Sequence, residues 1–180
     1  MPTLRTQRGI TLVEACTVIA ILAITASGAG PGFHDFIEKQ RLDGTAAQLA
    51  TDIQLARSEA VLRNAPLRMS FHDYAEGTCY VVHSGSADDC VCQPAGPAHC
   101  SADAQPLKTV LLPASDRVAV QANVASILFD PLHGTSTPAG TLRAVASSGR
   151  AIHHVVNVMG RVRTCSPALM APAVPGYRAC

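Results

Sequence analysis

An apolar segment near the N-terminus sets the first limit on how this chain can fold. Nineteen residues, 15–33, contain no Asp, Glu, Lys, Arg or His. Together with Ile10–Val13 they are long enough to cross ~30 Å of hydrocarbon as a helix. Arg5 and Arg8 precede the segment, which favours a cytoplasmic N-terminus and an exported remainder. We therefore predict three segments: a polar leader over 1–9, a transmembrane helix over 10–32 and an exported globular domain over 33–180.

One carboxylate, Glu14, lies inside this apolar segment. A conventional signal peptide is an alternative interpretation, since the small residues of TASGAG at 25–30 could form a cleavage site. That interpretation would make the protein an exported enzyme with a conventional signal peptide. A charged residue in an apolar span is costly, however, and indicates a function with a specific partner. Glu14 therefore favours a helix that the mature protein keeps.

The residues around this carboxylate resemble a processing site. Gly9-Ile10-Thr11-Leu12-Val13-Glu14 is similar to the prepilin peptidase site of type IV pilins and type II secretion pseudopilins, although Ile10 stands where the family usually has Phe. The resemblance implies cleavage after Gly9, methylation of the new N-terminus at Ile10, and pairing of Glu14 with a neighbouring subunit's α-amino group during assembly. It also implies an inner-membrane protein that later joins a filament.

Residues 33–64 have the pattern of an amphipathic helix. Apolar residues recur at spacings of 4, 3, 4, 3 and 4, which is the stripe of a helix that packs on a sheet. The run DIQLARSEAVLRN at 52–64 closely resembles the same helix in FimT/GspH-type minor pilins. That resemblance implies contacts with other pilin subunits through residues 10–64. The stripe consists of Leu42, Ala46, Leu49, Ile53, Ala56 and Ala60.

After Pro66 the pattern changes to short strands separated by turn signals, which predicts a β domain over 67–180. A helix followed by antiparallel strands makes the fold class α+β. With the resemblance, we expect a type IV pilin-like fold in which a long N-terminal helix packs on antiparallel sheets. Residues 84–106 are too polar and too rich in Pro and Gly for regular structure. The predicted strands are 67–71, 78–83, 107–112, 117–121, 125–130, 140–147 and 151–159.

Six cysteines in the exported part predict three disulfides, because export places them in an oxidising compartment. A zinc site at the Cys90-x-Cys92 cluster is the alternative, but its spacing does not fit paired C-x2-C ligands. We therefore predict no metal and no cofactor. Six cysteines allow fifteen pairings, and only the family resemblance points to one of them, Cys165–Cys180. The others are Cys79, Cys90, Cys92 and Cys100.

The last 50 residues, which follow Asp130, contain five arginines and no acid. Such asymmetry favours a basic face for a polyanion, although arginines that only solubilise a sheet are the simpler interpretation. Gly160-Arg161-Val162-Arg163 resembles the G-R-x-R motif with which FimT-type minor pilins bind DNA. In an extended segment its two arginines would project to the same side, roughly 6.6 Å apart. We expect Arg143, Arg150 and Arg178 as secondary contacts.

Tyr177 is the one aromatic residue near these arginines in sequence, which predicts binding to the DNA backbone with little sequence preference. No catalytic motif is present, and we predict that the chain is not an enzyme. The expected function is a minor pilin that prepilin peptidase processes and that binds DNA for natural transformation. The alternative is a structural pseudopilin of a type II secretion system, or a subunit that primes pilus assembly without binding DNA.

Overall fold

A computed structural model of the chain describes residues 9–94, 96–101, 103–168 and 172–180. Within the helix, the side chains of residues 26–32 lie outside this described set. The predicted leader over 1–9 also lies outside it, except for Gly9. The chain divides into two compact units, Met1–Ile37 and Glu38–Cys180.

The first unit contains the beginning of helix α1, which is assigned over Leu12–Arg63. Thr11 caps this helix, because its hydroxyl accepts a hydrogen bond from the Glu14 amide at 3.3 Å and its carbonyl accepts one from the Ala15 amide at 3.1 Å. The predicted transmembrane segment over 10–32 falls in this unit. Among the described residues, we find no helix with a stretch long and apolar enough for a bilayer crossing.

In the second unit, the rest of α1 supplies one side of the hydrophobic core. All six residues of the predicted stripe are buried, with at most 1% of their surface exposed. The helix ends at Arg63, and Asn64 follows in the left-handed region with φ of 49°. The amide of Ala65 donates to the Ala60 carbonyl at 3.1 Å, which satisfies one of the last helical acceptors. Pro66 then separates the helix from the first strand.

Among the residues that the structure describes, the strands form two main antiparallel sheets and a small one. The larger sheet has the order β5-β2-β1-β7-β8, the second has the order β11-β10-β9-β6, and β3 pairs with β4. The fold class α+β, with a long N-terminal helix and antiparallel sheets, is confirmed. The strands are β1 Leu67–Tyr74, β2 Gly77–His83, β3 Cys90–Val91, β4 His99–Cys100, β5 Pro106–Pro113, β6 Val118–Ala122, β7 Ser126–Phe129, β8 Ser136–Thr137, β9 Gly140–Ala146, β10 Ala151–Val156 and β11 Val162–Cys165.

The prediction that residues 84–106 lack regular structure was wrong in one respect. Two short strands, β3 and β4, pair there with Cys90 opposite Cys100, and a disulfide joins these two residues. A second disulfide, Cys79–Cys92, ties the segment to β2. Cys90 and Ala98 pack with Val81 in a small apolar cluster on β2. The segment therefore packs against β2 of the larger sheet, and two disulfides link its residues to each other and to β2.

The predicted strand over 151–159 was too long. β10 ends at Val156 because Asn157–Gly160 form a turn, and a further strand, β11, follows this turn. Val158 and Met159 are apolar, so neither carries a turn signal and the strand pattern extends through residue 159. The list of predicted strands also omitted β8, which is only 2 residues long, and β11, which follows the unrecognised turn.

A buried polar cluster joins helix α1 to the larger sheet. Asp52 has only 1% of its surface exposed, and its carboxylate accepts hydrogen bonds from the Tyr80 hydroxyl at 2.8 Å and from Lys108 Nζ at 2.6 Å. Burial raises the pKa of Tyr80 well above its ordinary value, and the hydrogen bond to Asp52 and the negative charge of Asp52 add to this shift. Tyr80 therefore remains a neutral donor, and the cluster sets the position of the helix on the sheet.

Candidate functional site

The predicted DNA-binding motif begins in the turn between β10 and β11. The Gly160 amide donates to the Asn157 carbonyl at 2.8 Å, and the Asn157 amide donates to the Arg161 carbonyl at 3.1 Å. The Asn157 side-chain oxygen accepts from the amides of Met159 at 3.1 Å and Arg161 at 2.9 Å. Gly160 has φ of 71°, the left-handed conformation that closes a three-residue hairpin loop. This network holds the turn in a single conformation.

Helix α1 supports this turn from below through Arg57. Its Nε donates to the Gly134 carbonyl at 2.8 Å, and one terminal nitrogen of the guanidinium lies 3.5 Å from the Gly160 carbonyl oxygen. Ser136, in β8, donates its amide to the Val158 carbonyl at 3.0 Å. The β7–β8 connection and the β10–β11 turn are therefore held side by side. The helical pattern of the sequence gives no sign of this role for Arg57.

The two motif arginines are exposed. Arg161 is the last residue of the turn, and Arg163 lies in β11 opposite Val155. Arg161 and Arg163 are two residues apart, so in extended backbone their side chains leave the same side of the hairpin. Within the part of the chain that the structure describes, neither guanidinium has an ion-pair or hydrogen-bond partner. Both charges remain available to a ligand.

The C-terminal tail returns along β11 and is fixed there. A disulfide joins Cys165 to Cys180, the pairing that the family resemblance implied. The Ser166 amide donates to the Arg178 carbonyl at 2.8 Å. The fully buried Ser166 hydroxyl donates to the Ala151 carbonyl at 2.8 Å and accepts from the Val174 amide at 2.9 Å. Sequence reasoning missed Ser166, since a single serine in a polar tail carries no signal.

Arg163 and Arg178 meet in one cleft between β11 and this tail. The cleft has a volume of ≈ 530 Å³, and it is lined by Arg163 from β11 and by Arg178 from the tail. Arg178 is exposed, like Arg161 and Arg163. Two fixed positive charges around an open cleft attract anionic groups such as phosphates. Besides the arginines, the lining residues are Val155, Thr164, Cys165, Ala179 and Cys180.

The structure separates the other two expected arginines from this cleft. Arg143, in β9, lies opposite His153 and lines a different cavity, which also contains Asp73 and His72. Arg150 lies in the β9–β10 turn, at the other end of β10 from the G-R-x-R turn. Three C-terminal arginines, Arg161, Arg163 and Arg178, therefore belong to one group. Arg143 and Arg150 lie apart from it.

A buried histidine lies directly behind β11. His154 points into the core, and its Nδ1 is 2.9 Å from the Thr164 hydroxyl, whereas His153 lies on the opposite face of β10. Burial lowers the pKa of His154, and the charge of His153 lowers it further, while the Ala46 backbone carbonyl opposes the shift. Partial burial, and then Arg143, lower the pKa of His153. The two histidines thus point to opposite faces of β10, as adjacent residues of a strand do.

The cysteines of the predicted zinc alternative are oxidised in the structure. Cys90 and Cys92 each form a disulfide, so neither is a free thiolate ligand. Nowhere in the described ranges do three or more His, Cys, Asp or Glu side chains come together in a group that could hold a metal ion. Cys16, in the apolar segment, is the one cysteine that the structure leaves unpaired.

Comparison with known proteins gives a family and a fold. The family model described as type II transport protein GspH matches residues 45–160. The crystal structure of the type IV minor pilin FimU from Pseudomonas aeruginosa strain PAO1 is similar to this chain, with a TM-score of 0.51 and 19% sequence identity. That match covers 73% of this chain and 96% of FimU, and at this identity it shows the pilin fold alone. No curated protein sequence matches the chain.

The family match stops at the edge of the arginine group. It ends at residue 160, so it includes Gly160 and excludes Arg161, Arg163 and Arg178. The family model thus includes the last part of helix α1, from residue 45, and most of the sheet residues. Arg163 and Arg178, which line the C-terminal cleft, lie outside the residues that match the family model.

Proposed function

We propose, from the premise that this chain belongs to the family of the type II transport protein GspH, that it is a minor pilin which binds DNA for natural transformation. Members of this family are structural filament subunits, and this chain is accordingly a pilin-like subunit rather than an enzyme. DNA binding goes beyond what the family match supports. This part of the proposal depends on the arginine group, which lies outside the matched residues.

The observation that carries the proposal is the cleft between Arg163 and Arg178. Exposed Arg163 in β11 and exposed Arg178 in the disulfide-closed tail loop line the cleft, and Arg161 lies two residues before Arg163 in the hydrogen-bonded turn. The final 50 residues contain no carboxylate side chain that could neutralise these charges locally. Arginine forms paired hydrogen bonds to phosphate oxygens, and a preorganised loop loses little entropy on binding. Binding should therefore be directed to the phosphate backbone.

The assembly half of the proposal rests on the N-terminal segment. According to the proposal, prepilin peptidase cleaves after Gly9 and Ile10 is methylated. The helix over 10–32 then anchors the subunit in the inner membrane before assembly. Glu14 lies in the first turn of α1 beside the Thr11 cap, where a carboxylate is also favourable to the helix dipole. A neighbouring subunit's α-amino group at Ile10 would neutralise Glu14 in the filament. Residues 10–64 would then contact other pilin subunits.

DNA affinity measured as a function of salt concentration tests the proposed site. The full-length chain in non-ionic detergent should bind duplex DNA, with a logarithmic salt slope of about −0.9 for each phosphate contacted. Arg161→Ala/Arg163→Ala should abolish binding or weaken it strongly and reduce the slope. Lys39→Ala/Arg41→Ala removes the same charge from helix α1 and should leave binding near that of the unchanged chain. If both double variants have the same DNA affinity, Arg161 and Arg163 do not form the DNA-binding site.

The structural alternative remains the second candidate, because the family model is that of a type II transport protein. A GspH-like pseudopilin, or a subunit that primes pilus assembly, would enter filaments but would not bind DNA at any salt concentration. Glu14→Gln addresses assembly separately. In that variant filament incorporation should be lost while DNA binding in detergent is retained, and normal incorporation would contradict the pilin assembly role.

A further inference from the structure

Two large apolar side chains occupy the corner of the β10–β11 turn. Val158 and Met159 have 58% and 59% of their surface exposed. Leu132, in the β7–β8 connection that Arg57 holds beside this turn, is 73% exposed. Turn corners normally carry Gly, Asn, Asp, Ser or Pro, whose conformations suit them. A β-branched valine and a long methionine do not stabilise the turn, so folding does not account for them.

Hydrogen bonds hold the backbone of the turn that carries these side chains. The Met159 amide donates to the Asn157 side chain, and the Val158 carbonyl accepts from the Ser136 amide. The backbone on both sides of the two residues is thus hydrogen-bonded. A ligand that contacts them gains apolar burial without first ordering a loop.

Positive charge lies immediately beside this apolar corner. Arg161 is two residues from Met159, at most roughly 6.6 Å along an extended chain. Glu59 pairs with Arg63 at 2.7 Å. Asp130 accepts hydrogen bonds from the amides of Leu132 and His133 and keeps its negative charge, but the guanidiniums of Arg57, Arg161 and Arg163 outnumber it at this turn. The surface therefore suits a polyanion that also has apolar faces. A nucleic acid with accessible bases has both properties, whereas the outside of an intact duplex offers mainly phosphates and sugars.

We propose that Val158 and Met159 contact DNA bases while Arg161 and Arg163 hold the flanking phosphates, so that the site prefers DNA with unpaired bases over continuous duplex. This inference rests on the proposed function, since it needs the arginines to bind DNA. Bases in a duplex are stacked, and an apolar side chain reaches their faces only at a strand end, a single-stranded region or a kinked step. Because every base has an apolar face, the preference concerns strand state and not sequence.

The test uses the full-length chain in non-ionic detergent with three DNA probes of one sequence: a single strand, a blunt duplex, and a duplex with an unpaired overhang. Val158→Thr/Met159→Gln keeps the shape of both side chains and removes much of their apolar character. It should weaken binding to the single strand and the overhang by about tenfold and leave blunt-duplex binding nearly unchanged. The salt slope should not change, because no phosphate contact is lost. The matched control is Val91→Thr, an exposed valine on β3.

A fluorescent base analogue such as 2-aminopurine in the single strand reports the contact directly. Its emission should change on binding to the unchanged chain, and this change should be absent for Val158→Thr/Met159→Gln. If that variant binds every probe as the unchanged chain does, the inference is overturned while the arginine site stands. If the variant keeps its DNA binding but fails to enter filaments, the corner is a contact with another subunit, and the inference is again wrong. If the unchanged chain binds no probe, the proposed DNA-binding function is refuted, and this inference is refuted with it.

Discussion

The side chain of Arg57 occupies the space that a side chain on Gly160 would need. A Cβ atom at position 160 would lie 2.9 Å from Arg57 Nε and 2.5 Å from the Gly134 carbonyl oxygen. The carbonyl belongs to the backbone and cannot rotate away as a flexible side chain would. Helix, turn and neighbouring connection therefore meet at a residue that must be glycine, directly before the first arginine of the proposed DNA site.

Replacing Gly160 with alanine should damage the site without touching an arginine. Both the φ of 71° and the contact with Gly134 oppose a Cβ atom, and we expect a loss of about 1–3 kcal/mol in the free energy of unfolding. DNA affinity should fall as well, since the turn that aims Arg161 would shift. Chemical denaturation and DNA binding measure the two effects.

Gly96→Ala is the control for backbone strain alone. Gly96 also has a positive φ, 91°, but a Cβ atom there would meet nothing within 4 Å. It should lose less stability than Gly160→Ala and keep full DNA affinity. Equal losses in the two variants would show that the contact with Gly134 and Arg57 has no consequence.

Removing the Cys165–Cys180 disulfide should weaken DNA binding more than its effect on stability explains. The disulfide closes a loop of sequence separation 15, for which the chain-entropy model gives about 3 kcal/mol. Cys165→Ala/Cys180→Ala frees Arg178 from the cleft that it shares with Arg163. Cys90→Ala/Cys100→Ala removes a disulfide of separation 10 far from the arginines and serves as the control. The two variants should have similar melting temperatures but differ in DNA affinity. If their affinities fall equally, the tail does not shape the site.

The buried carboxylate of Asp52 should contribute far more to stability than an exposed one on the same helix. Asp52→Asn leaves Lys108 and Tyr80 facing an amide, and we expect a loss of about 1.5–3 kcal/mol in urea denaturation. Glu59→Gln breaks an exposed pair with Arg63 and should cost at most about 0.5 kcal/mol. Similar losses for both would mean that the Asp52 cluster does not position the helix.

Stability should fall as the pH drops below the ordinary histidine pKa of about 6.5. Burial lowers the pKa of His154 and of His83 in the folded protein, so the unfolded chain takes up protons first as the solution is acidified. The stabilisation is therefore complete above pH ~6.5 and is lost progressively below it. Melting temperatures between pH 7.5 and 5 measure this slope. His154→Gln should make the slope shallower, and a slope as steep as that of the unchanged chain would contradict a titrating His154. His99→Gln, at an exposed position, is the matched control.

The pattern of the second half of helix α1 was readable from sequence because each position in it depends on near neighbours. The stripe from Leu42 to Ala60 obeys the helical period, and every member is buried in the structure. The change of period after Pro66 likewise indicated strands. The prediction erred where a strand is very short or where a turn carries apolar residues, as at Val158 and Met159. At such positions the hydrophobic pattern of the sequence differs from the secondary structure that the folded chain adopts.

The sequence alone determined the fold class, the buried stripe of the helix and an acid-free, arginine-bearing C-terminus, because period and charge are properties of neighbouring residues along the chain. Only the tertiary structure decided which arginines share a cleft. Arg163 and Arg178 are brought together by a disulfide and by the hydrogen bonds of Ser166, whereas Arg143 and Arg150 are carried elsewhere by strand register. It also decided that Arg57 supports Gly160. These contacts join residues far apart in sequence, and no spacing rule specifies which distant strands and loops will meet.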